Sequence, residues 1–303
     1  MGKLLTLFTN NLLPIFLIAS TGYIAARWLH VKPEALSKLV FYIFSPCLFF
    51  GLLANTQLNN KAVLQMFGYT TVIVFGISTL TWFVGRIFIK ERKMLAAVTL
   101  AATIMNSGAL GLPLSKFAFG EETLAFATLF CAIMTIFTYT VGIMIASLGS
   151  FSLGEAFRKL LKNPIIYAVL LAFVFMAFGW QLPEPVEKAV SSLSSAAIPG
   201  MLVLLGMQLY QMNGDLQIGP LLFANLARLG GGLLLGLAAS AAFGLEGAAR
   251  QAGIIEAAMP SAITTIVFAT EYDINPNFVT MVVFTTTLLS PLILTPLLFY
   301  LSL

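Results

Sequence analysis

Charge is what this sequence has least of. Only 9% of its 303 residues are Asp, Glu, Lys or Arg, against roughly 25% in a soluble globular chain, which excludes an ordinary soluble enzyme. Histidine is reduced to His30 alone. That removes HExxH zinc sites and leaves a Ser-His triad no base outside a short basic loop. The two aspartates, Asp215 and Asp273, stand at loop edges and do not make the facing pair an intramembrane protease needs. Cys47 and Cys131 lie inside apolar runs, so neither a disulfide framework nor a zinc ribbon is available and both read as packing residues. No GxxxxGK[ST] phosphate loop occurs, so nothing indicates an ATP-driven pump. No cofactor or metal is expected.

Apolar residues fill the space: 59% of the chain falls in the AVILMFWYC set. A bilayer-spanning helix takes about 20 of them. Ten runs fit this description, at about 9–26, 36–54, 63–89, 94–119, 123–148, 165–180, 190–209, 218–243, 247–270 and 278–302. Short connections separate them, marked by breakers such as Pro33, the Gly149 to Gly154 stretch, Asn163-Pro164, Pro183, Asn213-Gly214 and Asn275-Pro276. The expected fold is an all-α membrane protein of ten transmembrane helices in a lipid bilayer.

Shifting the chain by 153 positions lays the first five runs on the last five and brings Asn10 onto Asn163, Glu34 onto Glu187 and Pro46 onto Pro199. Such identities are no more numerous than chance supplies. The repeat rests instead on runs of similar length falling at matching places along the whole chain. Five is odd, so the second copy enters the membrane from the opposite side, the inverted-repeat design of secondary transporters. The halves are 1–150 and 151–303.

The net charge of +4 would point to nucleic acid in a soluble protein, but here the basic residues cluster between apolar runs and report topology. With both termini periplasmic or extracellular, the inner side receives Arg27, Lys32, Lys38, Arg86, Lys90, Arg92, Lys93, Arg158, Lys159 and Lys162. The outer side receives Lys3, Lys61, Lys116, Lys188 and Arg250. This asymmetry gives a multi-pass protein of the cell (inner) membrane, with no nucleic-acid partner.

Runs four and nine occupy equivalent places in the two halves, and both are interrupted. In run four, Asn106, Ser107, Gly108, Gly111 and Pro113 fall at mid-membrane; in run nine, Glu256, Pro260, Ser261, Thr264 and Thr265 do. Proline has no N–H and clashes with the preceding turn, and glycine adds backbone freedom, so both helices are predicted to break. Unwound backbone is tolerated at that depth only inside protein or beside a water-filled cavity, and half-helix N-termini favour anions. The expected substrate-binding residues are Asn106, Ser107, Pro113, Pro260, Ser261 and Thr264. Arg228 and Glu256 are the ionisable side chains placed near mid-membrane. They are read either as a structural ion pair between adjacent spans or as a coupling site, with Glu256 exchanging a proton.

NSGALGLPLSKFAFG at 106–120, MPSAITTIVFATEYDINP at 259–276 and LLGMQL at 204–209 resemble segments of the auxin efflux carrier family, which includes plant auxin exporters and bacterial malonate-type carriers. The likeness covers essentially the whole chain. It implies two inverted five-helix repeats, a fold shared in outline with bile-acid/sodium symporters. It also implies a scaffold and a transport domain, each drawn from both repeats, with crossed broken helices in the transport domain. The family's crossover positions carry over to Asn106, Pro113 and Pro260. Thr265 stands where plant carriers have a second proline, and the central connection is only 149–163. Both features argue against plant-type hormone specificity and against regulation through a long phosphorylated loop.

The expected function is secondary transport of a small organic anion, a carboxylate such as malonate or an auxin-like acid, by elevator-type alternating access. Coupling to protons or to sodium is left open, as is a homodimer. The alternatives are a sodium-coupled symporter of sterol-like anions and a membrane sensor that keeps the fold and moves nothing. The first should need clustered acidic and amide ligands, whereas the breaks offer Glu256 and a few hydroxyls.

Overall fold

The structure is a computed structural model that describes residues 2–55, 60–147, 160–211 and 216–302, together with Gly154 and Arg158. The breakers at Gly149 to Ser152 and Asn213-Gly214, together with Lys159 and Asp215, lie outside the described residues. Among the described residues the chain is all-helical, with one isolated antiparallel bridge and no strand.

Among the described residues, seven helices are long and apolar enough to cross a membrane: α1 (Leu4–Trp28), α2 (Pro33–Ala54), α3 (Lys61–Phe88), α6 (Glu121–Ala146), α8 (Glu184–Tyr210), α9 (Ile218–Ala242) and α12 (Pro276–Leu301). An eighth, α7 (Pro164–Phe178), has 15 residues. Its ends are sealed by sequence. The Asn163 Oδ1 accepts from the Ile165 N–H at 3.0 Å, and Gly179 takes the left-handed cap at φ 63°. The remaining helices come as two short pairs, α4 (Arg92–Thr103) with α5 (Leu112–Phe119), and α10 (Gly247–Ala257) with α11 (Thr264–Glu271). These are runs four and nine of the sequence, each in two pieces. Wider π-turns interrupt several helices, at Phe8–Leu12, Val40–Phe44, Thr138–Gly142 and Leu226–Gly231, and another, Ser107–Gly111, leads into α5.

Packing is governed by small residues where backbones touch. A Cβ on Gly22 of α1 would strike the Val203 carbonyl, and one on Gly206 of α8 would strike the Ala19 carbonyl. Glycine at both positions therefore permits direct backbone contact, the usual device for helix association in lipid. Helix α8 packs along α1 and α2, and α7 along α2. The other helices surround the broken pairs: α10 packs on α6 and α9, and α4 on α3, α9 and α12. Proline inside α8 (Pro199) and α12 (Pro291, Pro296) leaves those helices continuous.

Candidate functional site at the facing helix breaks

Helix α4 stops at Thr103 and α10 at Ala257. The unwound stretches that follow lie side by side, antiparallel, with Met105 bridged to Ser261. The Asn106 N–H donates to the Pro260 carbonyl at 2.8 Å, and the Ala262 N–H donates to the Ile104 carbonyl at 2.9 Å. Each break thus satisfies the other's backbone, which is what a buried interruption needs in a medium without water. Pro260 leaves its own carbonyl available by lying in the unwound stretch. Pro113 has a different place from the one its sequence suggests. It sits beyond the break, inside the continuous helical piece that begins at Ser107, where the π-turn passes into α5.

Two pieces end here and two begin. The C-terminal carbonyls of Ala102 and Ala257 both accept from one residue, Arg228 of α9. Its Nη1 donates to Ala102 at 2.7 Å, and its Nη2 donates to Ala257. The Arg228 side chain is fully buried, and a Cβ on Gly232 one turn on would strike both its guanidinium and the Ala257 carbonyl. The ion pair with Glu256 foreseen as one reading of the sequence is absent among the described residues. The guanidinium spends its planar fork on two helix ends, where the macrodipole places partial negative charge.

The beginnings of the second pieces offer the opposite polarity. Gly108 and Ala109 open the piece leading into α5, and Ile263 and Thr264 open α11; these four are the half-buried positions of the breaks. The first N–H groups of a helix have no acceptor within it.

Glu256, 0% exposed, is the last residue but one of α10, and neither carboxylate oxygen has a hydrogen-bond partner among the described residues. The carboxylate rests on Gly111, where an added Cβ would collide with it. The side chain beside it is Ser107. The Ser107 hydroxyl and the Asn106 amide nitrogen are also buried without partners. The breaks therefore hold a cluster of unspent polar groups: an amide, a hydroxyl and a carboxylate. Ser261 differs from them. Its hydroxyl donates to the Ala101 carbonyl at 2.7 Å and its N–H donates to Thr286 Oγ1 at 3.2 Å, tying the second break to α4 and α12.

Of the residues singled out in sequence, the structure brings Asn106, Ser107, Pro260 and Ser261 to the paired breaks, with Thr264 at the mouth of α11 and Glu256 under Gly111. Sequence reading did not find the recess at Gly111, the contact with Thr286, or the two carbonyls under Arg228. An arginine within an apolar run was the available signal for the last, but its backbone partners carry no side-chain signature.

A family model described as membrane transport protein matches residues 7–153 and 148–299. The chain belongs to the auxin efflux carrier-type membrane transport family. It is 26% identical to an uncharacterized transporter of Methanocaldococcus jannaschii over 292 residues, 92% of this chain and 94% of that protein. A second uncharacterized transporter, from Methanothermobacter thermautotrophicus, is 26% identical over 93% of this chain and 94% of its own. Auxin efflux carrier component 1 of Arabidopsis thaliana is 31% identical over 139 residues, 42% of this chain and 21% of the plant protein. The family is one of membrane transporters, not enzymes, and its membership together with the apolar helices makes this a multi-pass membrane protein.

Proposed function

We propose that this family member is a secondary transporter of small organic anions, carboxylates such as malonate or auxin-like acids, with the substrate held at the facing breaks. The observation that carries the reading is the separation of polarity there. Both helix C-termini are already neutralised by Arg228, whereas the Asn106 amide nitrogen beside the two helix N-termini is buried with no partner among the described residues. Such an arrangement favours a carboxylate over a cation.

In this reading the chain spans the inner membrane ten times as two inverted halves, 1–150 and 151–303, with both termini outside. Helices α1, α2, α7 and α8 form the scaffold, and the helices around the breaks form a transport domain that moves against it as an elevator, alone or in a homodimer. Glu256 is the coupling residue, taking a proton or facing sodium as the domain crosses. No cofactor takes part.

The test is counterflow in proteoliposomes with radiolabelled malonate and related acids. Saturable exchange is expected for the parent. Asn106→Ala should weaken binding by roughly 1–3 kcal/mol, the usual cost of a lost hydrogen bond to a charged group. Absence of exchange across the carboxylate panel would favour a sensor that keeps the fold, and exchange of sterol-like anions only with sodium present would favour a symporter.

A further inference from the structure

Away from the breaks, a cavity of about 480 Å³ opens between the end of α3, the length of α4 and the end of α6. This is the size of sites that hold drug-sized molecules, about 300–1,000 Å³. Phe75, Trp82, Phe83, Leu95 and Met144 supply most of the wall. Ser78 and Thr99 also face it, but their hydroxyls donate to the Phe75 and Leu95 carbonyls of their own helices at 3.1 and 2.7 Å. The wall therefore behaves as an apolar surface.

Charge enters at one end only. Among the described residues, Arg92 is the single ionisable residue of the lining. On α3, the Arg86 guanidinium lies 5.2 Å from the centre of the ring of Trp82, itself a lining residue. Phe75, Trp82 and Phe83 are themselves exposed on the surface that, in a membrane-spanning chain, lipid covers. A small dicarboxylate suits this place poorly, since it would bring two charged ends to a cavity with cations at one. An amphiphile suits it, with an apolar body along α3 and α4 and one acidic head at the arginines. Tryptophan and basic side chains at the rim mark the headgroup level of a membrane, and anionic lipid is what a basic interfacial cluster attracts.

We propose that this cavity binds an acyl chain of an anionic phospholipid, with its phosphate against Arg92 and Arg86. The site is independent of the anion carried at the breaks, but it shares α4 with them. Thr99 in its floor lies one turn before Ala102, whose carbonyl Arg228 holds.

The experiment uses the purified full chain in detergent, stripped of lipid and offered phosphatidylglycerol and phosphatidylcholine in equal amounts. Retained lipid is weighed by native mass spectrometry. The parent should keep one phosphatidylglycerol, at least fivefold in preference to phosphatidylcholine. Arg92→Gln should lose the preference. Thr79→Trp, a substitution at an exposed rim position, should lose the retained lipid by filling the opening, and it stands alone as the test if Arg92→Gln does not fold. Equal retention of both lipids by the parent would overturn the proposal. So would undiminished retention by folded Thr79→Trp, or, when free laurate is offered in a parallel competition, its preferential retention over phosphatidylglycerol. Because the readout is bound mass, it is separate from the outcome of any transport assay.

Discussion

Arg228 sits where two helix C-termini converge, each carrying roughly half a negative charge from its aligned peptide dipoles. Replacing it with Met leaves the Ala102 and Ala257 carbonyls without a donor in a dry interior, at roughly 1–3 kcal/mol each. Arg228→Met should therefore lose folded protein in detergent, read as monodisperse material by size exclusion. Arg228→Lys should recover only part of it, because an ammonium does not reproduce the planar fork; Met and Arg behaving alike would refute the bracing role. Glu256 poses a different problem. Its carboxylate lies against Gly111 and beside the Ser107 hydroxyl, so Glu256→Gln removes a titration while keeping the shape of the side chain. The expected protein folds as the parent does and needs no compensating change at Arg228. Its exchange persists, but its net transport ceases to follow a pH gradient. A loss of fold that an Arg228 substitution repairs would restore the ion-pair reading instead.

The broken helices show what sequence discloses about an element and what it withholds. Proline and glycine in two apolar runs pointed to both interruptions, but only Pro260 lies in an unwound stretch; the first break falls at Ile104 to Asn106, ahead of Gly108, Gly111 and Pro113. The partnership between them was not legible. The hydrogen bonds from Asn106 to Pro260 and from Ala262 to Ile104 are made by main chain, which every residue has, so no residue type announces them. Pro113 lies beyond the break, at the passage from the Ser107–Gly111 π-turn into α5. This difference is measurable. Pro260→Ala should lower carboxylate exchange strongly while expression stays near that of the parent, since a restored N–H invites α10 to continue through the break. Pro113→Ala should have a smaller effect, because the helical piece that begins at Ser107 already runs through that position. Equal losses at the two positions would mean that Pro113 acts on more than the start of α5.

At the scale of the molecule, composition alone gave the membrane class and the all-helical fold, because no soluble packing accommodates so little charge. Which helices adhere to which was beyond it, being decided by contacts such as Gly22 on the Val203 carbonyl and Gly206 on that of Ala19. The proposed orientation rests on the excess of Lys and Arg on one side and is open to direct measurement. In a background without Cys47 and Cys131, a cysteine at Gln181 should react with an impermeant maleimide on intact cells, and one at Lys90 only after permeabilisation. Reaction of both on intact cells would reverse or break the assigned topology. The brevity of α7 carries a last consequence. Fifteen residues, capped at both ends, rise about 22 Å, whereas a typical hydrocarbon core is about 30 Å thick. An untilted α7 can match that core only if the bilayer pinches inward along this flank, at an elastic cost of fractions of a kcal/mol per Å. Membrane thickness thus becomes a variable of the protein's own energetics: short-chain lipids should relieve the strain, and two copies that share one thinned border should attract each other without any contact between their side chains.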